Sequence, residues 1–446
     1  MQKPLRIFVV SALCLLLITL IFGTLSTWAF LYPETYNQFL PFYQLRPFHV
    51  SAALFWIITG ASAGILYYKD SIVTETKPSK LIETLFIYLW MSTIIAIFLC
   101  YGLKKFGGRE YWEFPPILCL PLLISWLLLM VSYWKIPWVK SGDKQPMYIW
   151  MWSTGVFFFL VTFIEQNLWQ IPWFRYSYLR EITIQWKANG SMVGAWNQML
   201  YGTSLYLMVK ISGDKYIAIG KTAFFFYMLG LTNLMFNWGH HIYNVPTASW
   251  IRDTSYLISM TEWVFLIKMI NDFKKKLDEK KKFSHLITYR FVIAAEFWVF
   301  MNLLLALAMS VPAINRYTHG THITVAHAMG TTIGINTMIL MASFSYMLGI
   351  DQQTAQKKKA ISISYWITQY SLFAFWSSLI VAGIIKSYRA TALGLNNFQE
   401  IMNPVIPAIK ILSLAGVLLA FSLGTIAGIY IYCTSKNIQP NHVEKA

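Results

Sequence analysis

Two adjacent histidines, His240 and His241, are the residues of this 446-residue chain that point most directly to chemistry. They follow a long apolar run, within Asn-Trp-Gly-His-His-Ile-Tyr. Neutral imidazole is the most common protein ligand of transition metals, and histidine is costly in a bilayer unless it is coordinated, paired or faces the protein interior. The pair therefore indicates a metal centre. The alternative is two interfacial histidines that hydrogen-bond to lipid headgroups or loop carbonyls.

Composition places the chain in a membrane. Its residues are 57% hydrophobic, 17% aromatic and 12% charged, whereas a soluble domain carries about twice that charged fraction. The net charge of +17 could suggest nucleic acid, but the basic residues fall in short runs between apolar segments. Membrane orientation explains that pattern better, so we expect lipid and no nucleic acid as a partner. The four cysteines form neither a Cys-x-x-Cys pair nor a Cys-x-x-Cys-His run, which argues against disulfides and covalently attached haem.

Apolar runs near or above the roughly 20 residues needed to span a bilayer recur along the chain. They predict an all-α, polytopic membrane bundle of about twelve transmembrane helices, because helices satisfy the backbone within lipid. The first run continues to about Tyr32, too long for a signal-peptide core, so it is interpreted as the first span. The loops leave no room for a soluble domain, and residues 1–446 are expected to form a single integral membrane domain. The predicted spans are 7–32, 47–68, 80–103, 115–134, 147–171, 188–210, 217–240, 251–272, 286–312, 320–349, 361–386 and 403–433.

Loop charge predicts the orientation of these spans. The loops after even-numbered spans, together with both termini, are richer in Lys and Arg than the other loops, so both termini should be cytoplasmic. His285 and His442 then lie in cytoplasmic segments. The other six of the eight histidines lie near the outer face, and their convergence at one depth favours a metal or haem over chance. These six are His49, His240, His241, His319, His322 and His327.

His327 and Met329 are two residues apart on the tenth predicted span. At 100° per residue they point about 200° apart, so a helix between two planar cofactors could ligate one with each side chain. Met329 could instead fill a packing gap, as methionine commonly does. His319 and His322 lie at the mouth of this span and are expected to be structural or loop-capping residues.

Five motifs resemble the large catalytic subunit of bacterial nitric oxide reductase, a twelve-helix member of the haem–copper oxidase superfamily that is also cytochrome c oxidase subunit I-like. The resemblance covers nearly the whole chain. It implies a respiratory enzyme of denitrification in the bacterial inner membrane. The motifs are Leu-Arg-Pro-Phe-His (45–49), Gly-Arg-Glu-Tyr-Trp-Glu (108–113), Val-Lys-Ile-Ser-Gly (209–213), Gly-His-His (239–241) and Tyr-Thr-His-Gly-Thr-His-Ile-Thr-Val-Ala-His (317–327).

The resemblance implies two haem b groups and a non-haem iron, with copper less expected. His49 matches an axial ligand of the low-spin haem, and His327 matches the proximal ligand of the high-spin haem. His240 and His241 match two ligands of the non-haem iron. Glu262 matches an acidic residue near the catalytic centre that handles protons, and an interfacial or paired carboxylate is its alternative.

The resemblance also assigns a role to the acidic loop between the third and fourth predicted spans. Glu110 and Glu113 match residues that help to hold calcium near the haem propionates and to line a proton route. A solvated loop is the alternative interpretation.

Three positions depart from the family pattern. Counted back without gaps from Val-Lys-Ile-Ser-Gly, the third histidine and the glutamate of the non-haem iron site fall at Asn189 and Val193. Asn189 would be a weak third ligand, or its position would be vacant, and the iron should bind less tightly and have a higher reduction potential. The third departure is Met329, where the family has the second histidine of the low-spin haem. Histidine–methionine ligation raises haem potential; otherwise another residue supplies the ligand or the haem is five-coordinate.

Four functions remain open at this point. The family reaction reduces nitric oxide to nitrous oxide. A nitric oxide dismutase, which yields nitrogen and oxygen, is compatible with Asn189. An oxygen reductase of the cytochrome c oxidase kind is disfavoured by Leu234, where the related oxidases carry a cross-linked tyrosine. A non-enzymatic haem protein that binds a diatomic gas is the fourth. If electrons are used, a membrane-anchored cytochrome c subunit or another donor is the expected partner.

Overall fold

The computed structural model describes residues 2–36, 38, 40–72, 77–134, 144–261 and 284–435. Within them, the chain is all-α and contains no β-sheet, only an isolated bridge between Arg109 and Trp112. Twelve helices of these described ranges make up the bundle. They are α1 (Lys3–Leu31), α2 (Phe42–Ile72), α3 (Lys77–Gly102), α4 (Cys119–Tyr133), α5 (Met147–Gln166), α6 (Tyr178–Ser212), α7 (Lys221–Phe236), α8 (249–261), α9 (Leu286–Ser310), α10 (His322–Met347), α11 (Ala355–Ser387) and α12 (Ile406–Ser435).

The predicted polytopic bundle is confirmed. In the described part of the chain, nine helical segments are long and apolar enough to cross a membrane. These segments contain α1 to α5 and α9 to α12. The remaining predicted spans correspond to α6, to the shorter α7 and to α8, and residues 262–272 of the eighth predicted span lie outside the described residues.

Helix α6 starts ten residues before its predicted beginning at 188. The Ser177 side chain accepts a hydrogen bond from the Arg180 amide and caps the helix start. At the other end, Gly213 adopts a left-handed conformation (φ 69°) and its amide bonds to Val209, a common way to end a helix. The apolar run therefore predicted α6 at the right place in the chain, but it did not predict the polar first turns of this helix.

Two irregular segments interrupt the regular helices at the end of the bundle that carries the histidines. Helix α7 ends at Phe236 and continues as a 3₁₀-helix, Asn237–Ile242, which carries the histidine pair. Helix α10 is α-helical over His322–Met329, becomes a π-helix over Gly330–Thr337 and returns to α-helix at Met338. Such π segments are frequent at functional sites.

Helix α6 is the element that brings these parts together. It packs against α5, against α7 and against the 3₁₀-helix. A Cβ atom on Gly190 would lie 2.7 Å from the Cβ of Trp238, so only glycine allows this close approach. The histidine pair is thereby held against the face of α6 that contains Asn189 and Val193.

Candidate metal and haem centre

One cavity of about 720 Å³ lies at this end of the bundle. It is mostly apolar, and it collects side chains from helices that are far apart in sequence. Most of the site residues expected from the sequence line it: His49, Glu110, Asn189, His240, His241, His327 and Met329. Arg46, Val193 and His322 line it as well.

The imidazoles of His240, His241 and His327 meet in this cavity. The ring centroids of His240 and His241 are 4.1 Å apart, and those of His240 and His327 are 6.5 Å apart with an interplanar angle of 85°. Residues from α10 and from the 3₁₀-helix after α7 thus face each other across a short gap. Three of the six histidines that the sequence predicts at one membrane depth therefore lie together here.

Contacts from three elements fix the histidine pair. The His240 amide donates to the Ser255 hydroxyl of α8 at 3.1 Å, and its carbonyl accepts from the Asn315 side chain at 3.3 Å. The Trp186 ring of α6 stacks on His241 with centroids 5.5 Å apart and an interplanar angle of 17°. The backbone and one ring of the pair are therefore held before any ligand binds.

His49 has the hydrogen bonding of an axial ligand. Its Nδ1 lies 2.9 Å from the carbonyl of Thr19, an oxygen that can only accept, so Nδ1 carries the proton. Nε2 is then the unprotonated nitrogen that can bind a metal. Room for the ring comes from Gly23, where a Cβ atom would lie 2.7 Å from Cε1 of His49.

Asn189 belongs to a buried chain of hydrogen bonds. The Trp112 indole N–H donates to Oε1 of Gln166, and Nε2 of Gln166 donates to Oδ1 of Asn189 at 2.6 Å. Gln166 and Asn189 are 2% and 3% exposed, so this chain is shielded from water. Val193, one turn further along α6, also lines the cavity and offers no donor atom.

Two imidazoles are the strong ligands that this part of the cavity offers. Among the residues that the structure describes, no three His, Cys, Asp or Glu side chains come close enough together to hold a metal ion. The replacement of a third histidine and a glutamate by Asn189 and Val193 stays a prediction from the sequence.

An arginine compensates part of the negative charge of the acidic loop. Arg46 forms ion pairs with Glu113 and, at 3.1 Å, with Glu110. Burial raises the pKa of Glu113, and the neighbouring Arg46 lowers it by less. The guanidinium supplies positive charge between the two carboxylates, where the sequence suggested calcium, and calcium binding here stays a prediction.

Of the remaining predicted residues, the structure describes His319 and His285. Glu262 and His442 are outside the described residues. His319 ends the short helix Pro312–Thr318 and does not line the cavity. His285 precedes α9 and packs near Tyr346, with ring centroids 6.0 Å apart, towards the opposite end of α10.

Sequence reasoning missed the supporting residues of the site. These are Thr19 and Gly23 beside His49, Trp186 beside His241, and the Trp112–Gln166 chain beside Asn189. A glutamine at the end of an apolar run was the one available signal for Gln166, because a polar amide at that depth needs a partner.

The chain is similar to known proteins along most of its length. Over 418 residues, the chain is 21% identical to a nitric oxide reductase subunit of Stutzerimonas stutzeri, and the match covers 86% of this chain and 84% of that protein. Over 408 residues, it is 20% identical to cytochrome c oxidase subunit 1 of Rhodobacter capsulatus, covering 86% and 75%. The fold is similar to a cryo-EM structure of a haem–copper terminal oxidase dimer, with a TM-score of 0.75, 15% identity and coverage of 100% of this chain and 86% of that one.

A family model matches nearly the whole chain. The model for cytochrome c and quinol oxidase polypeptide I matches residues 3–433. Members of this superfamily are membrane oxidoreductases that contain haem and metal. The chain belongs to the cytochrome c and quinol oxidase polypeptide I family.

Proposed function

We propose that this multi-pass membrane oxidoreductase reduces nitric oxide to nitrous oxide at a high-spin haem b and a neighbouring non-haem iron. The balanced reaction joins two nitric oxide molecules with two electrons and two protons to give nitrous oxide and water. The observation that carries the proposal is the approach of His240 and His241 to His327 across one cavity that His49 also lines. In this proposal, His240 and His241 are the metal-binding pair, and His327 and His49 are the candidate haem ligands.

The residues present fit the haems. His49 presents an unprotonated Nε2 in a space that a Cβ on Gly23 would fill, and Met329 lines the same cavity. His327 lines it opposite His240. In the proposal, His49 and Met329 hold the low-spin haem and His327 holds the high-spin haem. When bound, these groups supply electron delivery and a site for the gas.

For the second metal the fit is partial. His240 and His241 offer two imidazoles, a donor set that suits iron or copper. The family's third imidazole and its carboxylate are replaced by an amide and an isopropyl group. Iron is proposed, at lower affinity than four protein ligands would give.

The protein residues position ligands and hold protons. Ser255, Asn315 and Trp186 orient the histidine pair, so the metal position is set before the gas enters. Glu113 is proposed to take part in a proton route at the acidic loop. Its Oε2 is buried with no hydrogen-bond partner among the described residues, and burial raises the pKa of its carboxyl group.

Nitric oxide is favoured over oxygen as substrate by the residue at position 234. Oxidases related to this family supply an electron and a proton from a tyrosine six residues before the histidine pair. Leu234 is buried and packs against Gly194 of α6, so this position has no phenol to oxidise. Electrons would come from a membrane-anchored cytochrome c subunit or another donor at the outer face.

A dismutase activity is the second candidate. Dismutation of nitric oxide to nitrogen and oxygen needs no external electrons, and enzymes of that kind have altered ligands at the non-haem iron. The presence of Asn189 and Val193 in place of histidine and glutamate favours it.

Isotope-resolved gas analysis tests the proposal. Purified, haem-loaded protein is given ¹⁵N-labelled nitric oxide with and without a reductant, and its metal content is measured. We expect labelled nitrous oxide only with reductant, together with two haems and one non-haem iron per chain. Formation of ¹⁵N-labelled nitrogen gas together with oxygen in the absence of reductant would instead identify a dismutase. Bound haem with neither a second metal nor turnover would identify a gas-binding protein. Oxygen consumption in place of nitric oxide consumption would identify an oxygen reductase.

A further inference from the structure

Asn189 can face the cavity with only one of its two amide atoms, and the structure determines which one. The argument starts at Trp112, because an indole nitrogen can donate a hydrogen bond but cannot accept one. The atom of Gln166 that receives this bond must therefore be its carbonyl oxygen, Oε1.

The orientation of Gln166 then fixes that of Asn189. With Oε1 turned to Trp112, the Nε2 amide of Gln166 points at Asn189, and a donor requires an acceptor. Oδ1 of Asn189 fills that role at 2.6 Å. Amide orientations are normally ambiguous, but here the chain ends on a group that is only a donor, so reversing either amide would place two donors or two acceptors together.

Burial makes such a reversal costly. Trp112, Gln166 and Asn189 are 4%, 2% and 3% exposed. A mismatched pair in this setting would leave two buried polar groups without a hydrogen-bond partner, which is unfavourable because neither group can be solvated by water instead. The aromatic rings of Phe55, Phe114 and Phe163 also surround the Trp112 indole, with centroids 5.5–5.9 Å away, and hold it in place.

The consequence concerns the other half of the Asn189 amide. Asn189 lines the same cavity as His240 and His241, and its Nδ2 donates no hydrogen bond to any of the residues that the structure describes. We infer that Asn189 is a hydrogen-bond donor to the oxygen of a diatomic ligand in the cavity, oriented by Gln166 and Trp112, and not an oxygen ligand of the metal. This inference rests on the proposed function, because it places the gas between His327 and the histidine pair.

The chemistry differs from that of the residue it replaces. A third histidine would bind the metal, and a glutamate at Val193 would add negative charge. A neutral N–H donor instead stabilises negative charge as it develops on a bound nitrogen oxide during reduction. In this chain the second metal position would therefore be weaker, and part of its electrostatic role would pass to a side chain that touches the substrate.

Infrared spectroscopy of bound carbon monoxide tests the inference. The reduced, haem-loaded full chain is given carbon monoxide, whose C–O stretch falls in frequency when a donor points at its oxygen. We expect Asn189→Leu to move this band to higher frequency with no change in the non-haem iron content. Asn189→Asp, which keeps the volume and replaces the donor by an acceptor, should move the band in the same direction and serves if the leucine variant does not fold.

Trp112→Phe tests the positioning role. Without the indole donor, Gln166 is free to reverse, so Asn189 should present either amide atom and the band should split or broaden. Trp126→Phe is the matched control, because that buried indole donates to the Val156 carbonyl at 2.9 Å and does not reach Gln166. The band should be unchanged in this control.

Two results would overturn the inference. A loss of iron in Asn189→Leu with an unmoved C–O band would make Asn189 a metal ligand. Identical bands in Trp112→Phe, Trp126→Phe and the unaltered protein would remove the positioning role. Failure of the unaltered protein to bind haem or carbon monoxide would instead refute the proposed function itself, so the two failures are distinguishable.

Discussion

At the end of the bundle where α2 finishes, Lys69 and Glu83 are 2% and 7% exposed and form an ion pair. Ser132 contacts both, at 2.9 Å each. At the opposite end, His240 and His241 are half-buried, and their rings border a cavity. Both regions bury polar groups at a cost in desolvation. In the first, the ion pair and its hydroxyl contacts are made between protein side chains. In the second, the imidazole rings line a space that a ligand can fill. We therefore expect changes in the closed cluster to act on stability and changes in the open cluster to act on ligand binding.

The largest expected effect is at the histidine pair of the open cluster, where we expect a loss of metal and activity. His241→Ala should remove the non-haem iron and lower nitric oxide turnover by more than the ~100-fold that losing a supporting contact can cause. Metal analysis and gas consumption measure it. His285→Ala is the matched control, since that histidine lies outside the cavity. Full iron content in His241→Ala would mean that the open cluster does not bind metal.

The closed cluster should respond through stability alone. Lys69→Met removes one of the two lysines that pair with the buried Glu83; Lys80 remains, at 3.2 Å. The loss of this ion pair should lower the free energy of unfolding by about 3 kcal/mol. The double variant Lys69→Met with Glu83→Leu should recover most of that loss, because both buried charges are then removed. Denaturant titration gives the energies, and haem spectra should not change. A cost below about 1 kcal/mol for Lys69→Met would show that water reaches this pair and would end the contrast.

A smaller effect is expected from a substitution that crowds the His49 imidazole in the cavity. Gly23→Ala places a methyl group against the imidazole, so we expect the absorbance of the low-spin haem to fall while carbon monoxide binding at the high-spin haem persists. Gly428→Ala is the control, because a Cβ there meets no atom within 4 Å. An unaltered low-spin spectrum in Gly23→Ala would argue against His49 as its ligand.

The mildest prediction changes a potential without removing a haem. Methionine ligation raises haem potential relative to histidine, so Met329→His should lower the midpoint potential of the low-spin haem in a redox titration. Met338→Leu should leave it unchanged, because Met338 is buried outside the cavity and its sulfur accepts from Gln369. An equal potential in Met329→His would exclude Met329 as the axial ligand.

Much of this architecture follows from the sequence. Apolar runs gave the order of the helices, and the alternation of their direction brought His49, His240, His241 and His327 to one end. Loop charge placed that end outside, which stays a prediction. These inferences succeed because a bilayer imposes a length and a hydrophobic pattern that a single chain displays.

Other features have no local signal. The 3₁₀-helix that presents His240 and the π-helix after Met329 follow from tertiary packing, and periodicity does not distinguish them from α-helix. The contact between Gln166 and Asn189 joins residues 23 positions apart whose types are common in loops. Register counting found Asn189 at the right place, but only side-chain geometry assigns the direction of its amide.

The π-helix Gly330–Thr337 also sets an angular offset within α10. Each residue of an α-helix advances about 100°, so removing one residue to restore regular α-helix would rotate His327 and Met329 by roughly that angle relative to Met338–Met347. The last part of α10, Met338–Met347, is fixed by packing against α9, α2 and α6. The number of residues between Gly330 and Thr337 therefore determines which neighbours His327 and Met329 can face. Deletion of one residue in this segment would turn both side chains away from their present neighbours, although neither residue is itself substituted.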